Sequence, residues 1–197
     1  MKKMLVVILM ALCAVFSVNA IGPDFGVKAG ISLGNIEWAD GVMAEGVDNP
    51  LKIGITGGFT MEMPLGPIAF GAEALYTQKG EKLTLGDISQ SFNLDYIEIP
   101  VMGKFTVAPM VKVYGGLSTG FLVSAKMAID VDGEEDDVDM KDAFNSVELG
   151  AIAGFQVQIS KIIIDARYNH GLTNIMKEND GDAIQLRTLY ATVGITF

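Results

Sequence analysis

The 197-residue chain has one cysteine, one histidine and one tryptophan, and only 19% of its residues are charged. Each shortage removes a class of function. A lone thiol, Cys13, forms no internal disulfide and supplies no zinc site of the Cys/His type. It follows Leu12, where a lipoprotein signal places a small residue, so lipidation is not expected. With Asp and Glu at 24 against Lys and Arg at 14, and an isoelectric point near 4.5, no basic aromatic patch exists for nucleic acid. No glycine loop of the phosphate-cradling type is present. Beyond residue 20, no apolar run approaches the ~20 residues that a spanning helix needs. Yet half the residues are hydrophobic and the mean hydropathy is +0.37. A soluble domain so poor in charge would be short of polar surface.

The first twenty residues are set apart from the rest. Lys2 and Lys3 precede an uncharged apolar run from Met4 to Val18, and Val18, Asn19 and Ala20 form a small-residue cleavage site. That is the plan of a secretory leader, with cleavage expected after Ala20. Residues 1–20 are then the signal peptide and 21–197 one domain. Loss of Lys2 and Lys3 takes the formal net charge from −10 to −12.

The mature segment alternates apolar and polar side chains over eight stretches. Phe25, Val27, Ala29, Ile31 and Leu33 share one face of the first, from Phe25 to Leu33, while Gly26, Lys28, Gly30 and Ser32 take the other. The second, Leu51 to Met63, and the third, from Ile68 through Tyr76, read alike. Ile97 to Val107, Val111 to Val123, Val147 to Val157, Ile162 to Tyr168 and Leu189 to Phe197 follow. A period of two sustained this long specifies strands. Dispersing the apolar residues over every second position reconciles high hydropathy with the lack of a spanning helix. The expected fold is all-β, an eight-stranded antiparallel up-and-down transmembrane β-barrel, because closure leaves no unpaired backbone facing lipid.

The connections alternate in length. Pro64 to Pro67, Ala108 to Met110 and Gln158 to Lys161 are tight joins; Asn35 to Pro50, Gly80 to Phe92, Ala125 to Ala143 and Gly171 to Gln185 are long. Short periplasmic turns and long outer loops are the rule in bacterial outer-membrane barrels, which puts both termini in the periplasm. Phe25, Phe59, Phe70, Phe105, Phe155 and Phe197 then fall near periplasmic strand ends, and Tyr76, Phe121 and Tyr168 near outer ends, as two aromatic girdles. Pro100, inside the fourth stretch, is expected to mark a bulge.

Charge divides the same way. Most acidic residues fall in the long loops, whereas Lys28, Glu62, Glu73, Glu98, Lys104, Lys112, Glu148, Asp165 and Arg167 lie on the polar face of the strands. A narrow barrel is filled by side chains, and its lumen charges are expected to be paired. Two constellations suggest chemistry. In Asp130 to Asp139 (DVDGEEDDVD), Asp130, Asp132, Glu134 and Asp136 around Gly133 resemble a calcium loop, although later EF-hand ligands are missing. His170 at the end of the seventh stretch would be the base of a hydrolytic barrel only if a serine such as Ser118 or Ser124 lay within hydrogen-bond reach.

The segments GVKAGISLGN, FGAEALYTQKG, LDYIEIPVMGKF, VYGGLSTGFLVSAKM and DARYNHGLTNI, with the closing Phe197, resemble the outer membrane β-barrel domain family of Gram-negative bacteria, the porin-like or PorT-like group. Tyr96, Glu98 and Pro100, and Tyr168, Gly171 and Leu172, are the more specific pieces. The resemblance covers essentially the whole mature segment. It implies an eight-stranded outer-membrane barrel with no catalytic residues and no cofactor to carry over. The expected role is structural or surface interaction, with outer-membrane lipid, lipopolysaccharide and an extracellular partner at the acidic loops as contacts. Small-solute passage and a soluble lipocalin-like binder, its apolar face inward, are the alternatives.

Overall fold

Alternating sequences make two-faced strands, and here the ribbons curl until the first meets the last. The computed structural model describes residues 22–37, 52–85, 88–131, 134–176 and 184–197, with the backbone alone for 36–37, 81–85, 88–90, 128–131 and 134–139. Its strands are β1 (Asp24–Glu37), β2 (Lys52–Leu65), β3 (Ile68–Leu85), β4 (Ile88–Ala108), β5 (Val111–Val131), β6 (Glu134–Asp139), β7 (Val147–Ile159), β8 (Ile162–Gly171) and β9 (Gln185–Thr196). Lys141–Ala143 forms a 3-10 turn.

Eight strands close in the order β1, β2, β3, β4, β5, β7, β8, β9, each antiparallel to its neighbours. β9 returns to β1 from Gly26↔Thr196 through Glu37↔Gln185. β6 stands outside this ring and pairs with the end of β5, from Lys126↔Asp139 to Val131↔Glu134. At one end of the barrel the strands join through tight turns, one of which holds Gly66 at φ 75°, where a side chain would be strained.

Burial decides which face looks where. Phe59 and Ile53 are 70% exposed, whereas Lys28 is 7% and Glu98 2% exposed. The apolar stripe points out and the charged stripe points in, the inverse of a soluble barrel. That arrangement overturns the lipocalin alternative. The nine girdle aromatics named from the sequence all lie on the outward face.

Three expectations are corrected. Gly80 to Phe92 is not a long loop, since β3 and β4 stay paired out to Leu85↔Ile88. Ala125 to Ala143 is largely strand, because β5 continues to Val131 and turns back as β6. Strands standing in water need no greasy stripe, so the alternation that revealed the membrane segments fades there. Pro100 makes no bulge: it pairs in register with Ser118, and the register shifts lie at Asp95/Tyr96 and Thr106/Ala108. On its other side the β3–β4 ladder skips the pairs between Ala72↔Val101 and Leu75↔Glu98, a gap consistent with proline's missing N–H.

Candidate functional site

The inward stripe builds three charged layers and an apolar cap. At the turn end, Lys104 Nζ lies 2.8 Å from Glu62 Oε2 and donates to Gln156 Oε1 at 2.7 Å. Lys112 pairs with the other oxygen of Glu62. A cavity of about 20 Å³ opens beside these residues, which is room for one or two waters at the ~10–15 Å³ each requires.

In the middle layer, Glu73 Oε2 takes both Lys28 Nζ and Arg167 Nη2 at 2.8 Å. Tyr114 reaches across to donate to Asp165 Oδ2 at 2.6 Å and accepts from Arg167 Nε at 3.1 Å. Its ring also lies under two cations, with Lys104 Nζ 5.8 Å and Arg167 Cζ 5.4 Å from the centroid. Nearer the loop end, Lys79 Nζ sits between Glu98 Oε1 at 2.7 Å and Glu148 Oε2 at 2.9 Å. Tyr190 donates to Glu98 Oε2 at 2.9 Å and Asn169 Nδ2 to Glu98 Oε1 at 3.3 Å. Lys28, Lys79, Lys104, Lys112 and Arg167 thus balance Glu62, Glu73, Glu98, Glu148 and Asp165 in number. Pairing was expected, because an unpaired ion in so confined an interior carries a large desolvation cost.

Above the charged layers lies a hydrophobic cluster. Leu94 and Tyr96 of β4, Leu122 and Ala125 of β5 and Leu186 of β9 pack with Phe144, Ile175 and Ile184 from the connecting segments. Backbone bonds tie those segments together, from Asn145 N to Ile175 O at 2.8 Å and from Ile175 N to Ile184 O at 3.0 Å. A pairing of Phe144 with Met176 completes the seam.

Sequence reading missed this cap, and it missed Lys79, Tyr114 and Tyr190 as lumen residues. Parity was the available signal. Tyr96 shares its phase with Glu98, Tyr114 with Lys112, and Tyr190 with the polar side of a strand whose apolar side carries Leu189 and Ala191.

Of the residues suspected of chemistry, His170 stacks beside Tyr168, with ring centroids 6.2 Å apart, on the outward face. Ser118 is buried inside the lumen, and Ser124 is paired with Asp95 on β4. The barrel wall therefore separates His170 from Ser118. Asp132 lies outside the described residues, as do the side chains of Asp130, Glu134 and Asp136.

Solved barrels share this architecture. Neisserial surface protein A is 19% identical at a TM-score of 0.56, covering 89% of this chain and 99% of that one. Ail, the attachment invasion locus protein of Yersinia pestis, in complex with the heparin analogue sucrose octasulfate, is 17% identical at 0.52, covering 89% and 99%. No curated protein matches the chain. Residues 20–177 match the model of the outer membrane protein beta-barrel domain, and the chain, greasy outside and charged within, belongs to that family of outer-membrane proteins.

Proposed function

We propose that this protein is a non-catalytic, non-conducting barrel that holds its acidic loops at the cell surface for contact with lipopolysaccharide or an extracellular partner. One observation carries the reading: three ion-paired layers fill the lumen and an apolar cluster packs across its loop end. Ion pairs held in fixed geometry across the lumen leave no polar conduit for a solute, and a greasy cap adds a dewetted barrier. In this reading residues 1–20 are removed after Ala20 and both termini face the periplasm.

Planar-bilayer recording tests it. The purified barrel is expected to leave the membrane silent at high protein load, and stepwise conductance would establish the solute-passage alternative instead. Asp130, Asp132, Glu134 and Asp136 remain the proposed calcium ligands, with a saturable heat in calorimetric titration as the expected result.

A further inference from the structure

Among the described residues, five oxygen atoms in the loop-end half of the lumen have no hydrogen-bond partner: Glu148 Oε1, Asn169 Oδ1, Ser118 Oγ, Thr188 Oγ1 and Tyr96 Oη. Their side chains are all more than nine-tenths buried. They belong to neighbouring strands at adjoining levels. Ser118 is paired with Gly150, Gly150 with Gly171, Asn169 with Thr188, and Glu148 with Gly120. Two glycines lie against these acceptors. A Cβ on Gly150 would come within 2.1 Å of Asn169 Oδ1, and one on Gly171 within 3.5 Å of Glu148 Oε1, so both orphaned acceptors border the same glycine pair.

Chemistry limits what fills such a niche. Glu148 Oε2 is committed to Lys79, and Asn169 Nδ2 to Glu98, so turning the amide over would set two acceptors face to face. Charge adds a second constraint, because among the described residues a single cation, Lys79, pairs with both carboxylates here. The compensating positive charge is Lys112 at the far end, where 20% exposure lets water solvate it. A proton on Glu148 would cancel the excess and let the carboxyl donate to one neighbouring oxygen, whereas a small hard cation is coordinated by several oxygens at once. A divalent ion beside Lys79 would overshoot neutrality.

We infer that this niche binds a sodium-sized monovalent cation, held by Glu148 Oε1 and Asn169 Oδ1 with the hydroxyls of Ser118 and Thr188. The site joins β5, β7, β8 and β9 beneath the cap, and it stands apart from the question of whether the barrel conducts.

The test uses the full barrel in detergent micelles, melted by circular dichroism in sodium chloride and in choline chloride at one ionic strength, with the sodium-23 NMR linewidth followed in parallel. Expected are a saturable rise in Tm with sodium and a broadened line, both abolished in Glu148→Gln. Ser118→Ala, a milder change, should shift the titration to higher sodium if Glu148→Gln does not fold. Equal Tm values in the two salts with an unbroadened line in the unaltered protein would overturn the inference. So would a carboxylic-acid stretch in the infrared that vanishes in Glu148→Gln, since it would give the niche to a proton.

Discussion

Tyr114 spans the middle layer because its cross-strand neighbour is Gly154. A Cβ there would lie 2.5 Å from the phenolic oxygen, so the glycine is the slot into which the ring folds. Gly154→Ala should displace that ring from Asp165 and Arg167 and cost about 1–3 kcal/mol, the usual range for overpacking. Urea unfolding in lipid vesicles measures it, and an unchanged midpoint would sink the argument. The same measurement separates two lysines. Lys79 is fully buried between two carboxylates, and Lys79→Met leaves both facing each other, at a cost of about 3–5 kcal/mol. Lys112 sits at the more open end, so Lys112→Met should cost clearly less than Lys79→Met. At this scale the sequence was legible by parity. Lys28, Glu73 and Arg167 announced themselves on polar faces, but which cation meets which carboxylate depends on strand stagger, and a single strand read alone does not contain it.

β4 and β5 each run for 21 residues, about twice the ~9–11 that cross a bilayer, so their loop-end halves stand beyond it. The hairpin of β5 with β6 belongs to that outer part. Replacing Ala128–Asp137 with Asn-Gly would join Met127 to Val138, which already face each other, through a turn that suits a two-residue hairpin. The replacement also removes three ladder pairs with β4, Ser91↔Ala128, Gln90↔Ile129 and Ser89↔Asp130, so barrel stability should fall by about 1–3 kcal/mol, at about 0.5–1.5 kcal/mol for each hydrogen bond lost. The cap should matter more: Phe144 is 1% exposed, and Phe144→Ala should cost about 3–5 kcal/mol in the same assay. The eight membrane-crossing stretches were readable because lipid imposes alternation on them. The outer strand extensions were not, since water accepts either face, and neither was the cap. Its residues come from segments far apart in the chain, and Phe144, Ile175 and Ile184 have no periodic context to mark them.

The whole molecule rests on the apolar stripe meeting hydrocarbon, and depth is the variable that tests it. Leu117, 63% exposed, lies midway along the crossing part of β5 with Val101 and Ala151 beside it on the same face. Ile162, 49% exposed, begins β8 next to the tight turn after Ile159. A guanidinium at the bilayer midplane costs roughly 2–4 kcal/mol, and near the interface about 0–1. Leu117→Arg should therefore destabilise the vesicle-inserted barrel by several times the effect of Ile162→Arg, although both remove an exposed aliphatic side chain of similar size. In detergent micelles the gap should narrow, because a thin, deformable shell lets the arginine reach water. A core-facing stripe would give the opposite pattern, with both variants unfolding in either medium. Equal, small penalties in vesicles would mean that water, not lipid, covers this face, and the membrane assignment of the entire barrel would fail with it.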